Sequence, residues 1–224
     1  MLTRPNVQPC FQPAARLAGL SPYAPPPSRW PIEVHLEANE GPAPRAAVVE
    51  ALRSARSERM RRYPDCAALE RAIAERWGVD SERVVVTNGG DDAIDRMCRV
   101  ALEPERSLVW HAPGFEMIER SARMAGADVR AVPWLGGGFP VAEFCEQIGS
   151  GVAMVALVSP NNPTGGVIAL PDVRRVCAAA AEVGAMVLVD LAYVEFADDD
   201  PTACLVEIPN AVVVRTFSKA YGLA

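Results

Sequence analysis

Apolar and polar positions along this chain fall into two registers. After Arg45, the residues Val48, Val49, Leu52 and Ala55 recur three or four apart, and Leu69, Ile73 and Trp77 resume that spacing beyond Pro64-Asp65. Each stretch predicts a helix with one apolar face, and Asp65 stands where the second would be capped. Short continuous apolar runs at residues 84–87, 108–111, 129–132, 154–158, 186–190 and 211–214 predict buried strands. Helical patterns begin near Asp91, near Phe115 and at Asp172. Strands and helices therefore alternate, which predicts an α/β fold: a mostly parallel sheet between two helical layers. Gly136-Gly-Gly reads as a flexible link inside it, and neither an internal repeat nor a second-domain boundary is visible.

Residues 1–31 break the pattern. Pro5, Pro9, Pro13, Pro22, Pro25, Pro26, Pro27 and Pro31 oppose both helix and sheet pairing, so the expectation is an extended arm over residues 1–35 and a large domain over 36–224. With 224 residues, half of them apolar, the chain can bury the core of one domain. Its net charge of −6 and pI near 5.1 argue against nucleic acid or an acidic membrane as the main partner. The apolar runs are far shorter than a bilayer crossing and residues 1–20 lack a signal-peptide core, so the cytoplasm is expected. Six cysteines without a Cys-x-x-Cys pair predict free thiols. With only His35 and His111, a His-rich metal site is excluded and no metal is expected; His111 reads as a packing residue.

Candidate chemistry collects where apolar runs end. Val212-Val-Val-Arg-Thr-Phe-Ser-Lys-Ala-Tyr-Gly delivers Lys219 into a Thr/Ser/Gly loop. A partly dehydrated lysine there can attack a carbonyl to form a Schiff base, with Thr216 and Ser218 as phosphate donors. Taken alone, the segment reads more readily as a surface lysine after a buried strand; the upstream segments reverse that preference. Upstream, Thr87-Asn-Gly-Gly-Asp-Asp sets a glycine turn between a strand and a helix N-terminus, a geometry that accepts anions. Ser159-Pro-Asn-Asn-Pro-Thr-Gly and Val187-Leu-Val-Asp-Leu-Ala-Tyr also follow strands, and in such sheets ligands gather at the carboxyl ends.

This ordered set resembles the fold-type I, class I/II aminotransferases that use pyridoxal 5'-phosphate, and within them is most similar to histidinol-phosphate aminotransferase, an enzyme of histidine biosynthesis. Leu36-Glu-Ala-Asn-Glu-Gly-Pro, Arg62-Tyr-Pro-Asp and Asp190-Leu-Ala-Tyr-Val-Glu-Phe extend the likeness from about Leu20 to the last residue. The resemblance implies a three-layer αβα large domain. It implies Lys219 as cofactor tether and base, Asp190 at the pyridine nitrogen, and Tyr193 and Asn162 as donors to the phenolic oxygen. Phe115 would stack on the ring, and Gly90, Asp91, Thr216 and Ser218 would hold the phosphate. Tyr63 would reach a neighbouring subunit's phosphate, implying a homodimer, while Tyr23 and Asn39 would meet substrate. The implied reaction moves an amino group between an amino compound and a 2-oxo acid.

Two departures qualify these expectations. Leu191 stands where the family usually has an acidic residue, and the chain ends at Ala224, before the family's phosphate-binding arginine and its C-terminal small domain. Loss of one charge-assisted phosphate partner costs roughly 2–5 kcal/mol. The expectation is weak cofactor binding without useful turnover. An amino-acid-phosphate decarboxylase of the same fold and a non-catalytic remnant stay open as alternatives.

Overall fold

A computed structural model of the chain describes residues 14–17, 19–21 and 38–224. Three helices, α1 (Ala46–Arg53), α2 (Ser57–Met60) and α3 (Ala67–Trp77), lead into α4 (Gly89–Ala101). The N-cap position of α3 falls on Cys66, not on Asp65 as expected; Asp65, one residue earlier, still accepts the Ala67 N–H at 3.0 Å. Beyond α4 come β1 (Ser107–Ala112), α5 (Glu116–Ala125), β2 (Asp128–Pro133), α6 (Val141–Glu146) and β3 (Val152–Val158). The chain continues through α7 (Leu170–Glu182), β4 (Met186–Asp190), α8 (Thr202–Leu205) and β5 (Ala211–Val214).

The five strands form one parallel sheet in the order β2-β1-β3-β4-β5. Because side chains alternate across a strand, successive residues feed two separate cores. Val109, Val155, Leu157, Val187 and Val189 pack with Phe144 of α6 and Val173 and Val176 of α7. Leu108, Trp110, Met154, Ala156 and Leu188 face the opposite side, against Ile94 and Cys98 of α4 and Ile118 and Ala122 of α5. Every residue of β3 is therefore buried, as a central parallel strand covered on both faces requires. This is the expected αβα sandwich.

Three further expectations need correction. Residues 84–87 are extended but unpaired, and Val85 is 69 % exposed. A strand needs a hydrogen-bonding neighbour; here a cleft of about 950 Å³ lies between this stretch and β5, and the Val86 N–H is taken instead by Glu70 Oε1 at 3.0 Å. The proline-rich arm is not extended throughout. Ala15–Leu17 form a 3-10 turn in the proline-free interval after Pro13, and Arg16 Nε donates to the Met124 carbonyl near the C-terminal end of α5. The third is α6, a helix the sequence pattern did not predict; its six residues give too few turns for a period to be seen. Cys66, Cys98, Cys145, Cys177 and Cys204 are free thiols; Cys10 lies outside the described residues.

Candidate active site

Parallel strands place their carboxyl ends along one edge, and of the polar residues singled out by sequence Asn162, Asp190, Tyr193, Thr216, Ser218 and Lys219 lie at or after those ends. Asp190 closes β4, paired in register with Val158 of β3 and Val214 of β5. Its carboxylate is 4 % exposed and accepts one protein donor, the Ala192 N–H, at 2.9 Å. Burial pushes its pKa up to about 6; the Ala192 bond opposes this, and the charge of Asp91 adds to it. Leucine at position 191 is itself buried in the core, which explains an apolar residue beside the carboxylate.

Two residues on, Tyr193 opens the 3-10 turn Val194–Phe196, and its hydroxyl accepts from Asn39 Nδ2 at 3.1 Å. Lys219 approaches from the loop after β5. Its Nζ sits 5.8 Å from the centre of the Tyr193 ring and donates to the Ala38 carbonyl at 2.8 Å. Just before it the Thr216 hydroxyl accepts the Ser218 N–H at 3.1 Å, and the two hydroxyls lie 2.9 Å apart. Gly90 lies in the first turn of α4 against the end of β5, where an added Cβ would meet Val214 Cγ1 at 3.7 Å. That turn carries the positive end of the helix dipole, with Asp91 beside it; the Gly89 N–H is taken by the Thr87 carbonyl at 2.8 Å.

The loop between β5 and Lys219 is anchored by a residue the sequence reading did not single out. Arg215 Nη1 donates to Asp200 at 2.7 Å and to the Thr202 hydroxyl at 2.8 Å, while Nη2 donates to Glu195 at 2.5 Å. Its guanidinium stacks 4.7 Å from the Trp77 ring centre. Arg215 thus ties the Lys219 loop to the turn that carries Tyr193.

On the other side of β4, Phe115 caps α5 and is half-buried against the Ile94 and Trp110 core. Asn162 is half-buried before the cis Pro163. Its neighbour Asn161 is fully buried and donates to the Pro113 carbonyl at 3.1 Å and the Thr164 hydroxyl at 2.7 Å, so it fastens this loop to the one leading to Phe115. His111 lies in the core beneath, as sequence suggested. Its Nε2 accepts the Val158 N–H at 3.0 Å, and burial pushes its pKa down to about 4, against a smaller pull from the Pro113 backbone.

The structure thus brings Tyr193, Asn39 and Lys219 together, with Asp190 three residues before Tyr193 at the end of β4, while Gly90, Asp91, Thr216 and Ser218 flank the end of β5. Tyr63 is fully exposed and touches none of them. Tyr23 lies outside the described residues. Among the described residues, no group of three or more His, Cys, Asp or Glu side chains is arranged to hold a metal ion. One signal went unread in the sequence: Lys219 is the only lysine of the chain, the other basic residues all being arginine.

Comparison with known proteins agrees with this fold. Residues 33–224 match the family model described as aminotransferase class I and II. The chain is 40 % identical over 197 residues to histidinol-phosphate aminotransferase of Halorubrum lacusprofundi, covering 85 % of this chain and 54 % of that protein. Histidinol-phosphate aminotransferase from Sinorhizobium meliloti, solved in complex with pyridoxal-5'-phosphate, superposes with a TM-score of 0.73 at 27 % identity. That match covers 83 % of this chain and 52 % of the solved one. L-threonine-O-3-phosphate decarboxylase from Porphyromonas gingivalis superposes less closely, with a TM-score of 0.63 at 28 % identity over 79 % of this chain and 51 % of the other. The chain spans about half the length of the relatives it matches.

Proposed function

The chain belongs to the aminotransferase class I and II family, and from that premise we propose that it carries the cofactor edge of a pyridoxal phosphate-dependent transaminase acting on histidinol phosphate and a 2-oxo acid. The observation that carries this reading is Asp190: a buried carboxylate with one protein donor, on the same edge as the chain's sole lysine. Such a carboxylate fits a protonated ring nitrogen, which would replace its lost hydration. Bound pyridoxal phosphate supplies an electron sink, effective while that nitrogen keeps its proton.

The remaining steps belong to the chain. Asp190 holds the ring proton in place. Lys219 tethers the cofactor and, once free, moves a proton to and from the substrate carbon. The Tyr193 hydroxyl and the Asn162 amide would hold the ring oxygen, and Phe115 would pack against the ring. Thr216, Ser218 and the first turn of α4 hold the phosphate through hydroxyls and N–H groups. The amino-donor assignment rests on the histidinol-phosphate aminotransferases among the relatives; the decarboxylase neighbour superposes less closely. We further assign the enzyme to the cytoplasm, as a homodimer in which the fully exposed Tyr63 serves the partner's phosphate site. No helix among the described residues is long and apolar enough to cross a membrane.

Reductive trapping tests this reading. Pyridoxal phosphate and borohydride should attach one pyridoxyl group to the peptide that contains Lys219, and histidinol phosphate added before the reductant should protect that lysine better than alanine does. A folded chain that takes up no label at saturating cofactor would refute the assignment.

A further inference from the structure

The stretch from Ala38 to Pro44 crosses the loops of Lys219 and Tyr193 more tightly than the roles above require. Ala38 accepts from Lys219 Nζ at 2.8 Å, and Asn39 donates to the Tyr193 hydroxyl at 3.1 Å. Asn39 does so from a left-handed backbone, φ 51°, a region asparagine enters more readily than most residues. Two residues on, Gly41 packs so closely that a Cβ there would overlap the Lys219 carbonyl oxygen. Reciprocally, a Cβ on Gly222 would overlap the Pro42 carbonyl oxygen. Each segment thus lays a glycine against a carbonyl of the other, with Lys219 inside the interlock. These two overlaps are tighter than those at Gly114 and Gly166, where a Cβ would meet its nearest neighbour at 2.7 Å, while a Cβ at Gly138 or Gly149 would meet nothing within 4 Å.

We propose that residues 38–44 are a strap that seats the catalytic edge, with Gly41 the positioning residue for Lys219 and Asn39 the positioning residue for Tyr193. The inference rests on the reading of Lys219 as the cofactor lysine, and it reassigns Asn39 from substrate contact to orientation of a side chain. A lysine has a flexible four-carbon stem, so a fixed backbone and a carbonyl at its tip select one of many placements for the amine. The Asn39 amide occupies a lone pair of the Tyr193 oxygen. The phenolic proton is thereby left to point away from the strap, toward an acceptor in the site.

The test compares the purified chain with Gly41→Ala, Asn39→Asp and the control Gly149→Ala. Lys219 is footprinted with acetic anhydride and Tyr193 with tetranitromethane, both mapped by mass spectrometry beside a melting curve. Because the chain has no other lysine, side-chain acetylation reports one amine. Gly41→Ala should acetylate Lys219 several-fold faster than the parent. It should also capture pyridoxal phosphate about a hundred-fold more slowly, since small misplacements of a reacting group cost that much. Asn39→Asp keeps the shape but loses the donor, and should raise nitration of Tyr193 while leaving acetylation of Lys219 unchanged. Gly149→Ala should match the parent in every readout. Parent-like footprints in both strap variants would overturn the proposal. If the parent itself captures no pyridoxal phosphate, the cofactor reading fails while the footprints still decide the strap. If the melting curve shows Gly41→Ala unfolded, nitration of the exposed-site variant Asn39→Asp decides alone.

Discussion

The carboxyl edge of the sheet has two corners that treat a buried ionisable group in opposite ways. Where β1 meets β3, His111 is neutral, bonded to the Val158 N–H and enclosed by the rings of Trp134 and Phe139 at 5.2 and 6.0 Å. Where β4 meets β5, Asp190 is as deeply buried but has only the Ala192 N–H for company, and the neighbouring Asp91 repels its charge. The first corner buries a neutral ring among other rings, with its Nδ1 left without a hydrogen-bond partner; the second buries a carboxyl whose ionised form a nearby cation would favour. Burial alone does not separate structure from function here. The enclosing rings and the neighbouring charge do.

Breaking the ring-packed corner should have the largest effect. His111→Ala removes a ring from a packed core and orphans the Val158 N–H, a loss of about 3–5 kcal/mol in unfolding free energy by chemical denaturation. The same experiment at the open corner should have the opposite sign. For Asp190, a folded pKa near 6 against an ordinary 3.8 means that its contribution is complete below pH 3.8 and lost as pH rises through 6. Asp190→Asn should therefore stabilise the cofactor-free protein at pH 7 by roughly 3 kcal/mol while abolishing productive cofactor chemistry. For His111 the folded value near 4 lies below 6.5, so its contribution is complete above pH 6.5 and lost as pH falls through 4. Denaturation curves between pH 4 and 7 should show His111→Gln with a weaker loss of stability on acidification than the parent, and Asp190→Asn with a steeper one. Equal slopes in all three proteins would erase the distinction between the corners.

The smallest expected effect lies beside the open corner. An added Cβ at Gly90 would make ordinary contact with Val214, so Gly90→Ala should change stability by no more than about 0.5 kcal/mol. It should nevertheless weaken pyridoxal phosphate binding, measured by fluorescence titration, because the backbone can no longer approach the phosphate as closely.

The contrast also explains what could be read from sequence. The strands β1, β3, β4 and β5 were legible because a doubly covered parallel strand is apolar along its length, and so were the helices α3, α4, α5 and α7, whose apolar faces repeat over several turns. Residues 84–87 carry the same apolar signal but remain unpaired, since composition reports what could enter a sheet and not whether a neighbour stands beside it. At the site, Asp190, Tyr193 and Lys219 were legible as strand-end residues within known motifs. Arg215 and Asn161 were not, because their importance lies in partners far away in the chain, such as Trp77 and Pro113. The same limit hid the contact of the Asn39 amide with Tyr193, which spans 154 positions.

The carboxyl 13C shift of Asp190, followed through a pH titration with and without pyridoxal phosphate, tests the proposed pairing of its carboxylate with the cofactor ring most directly. The cofactor-free chain should titrate Asp190 near pH 6, and the loaded chain should hold it ionised to well below that value. An Asp190 that titrates at the same pH in both forms would contradict the assignment of its carboxylate to the cofactor ring.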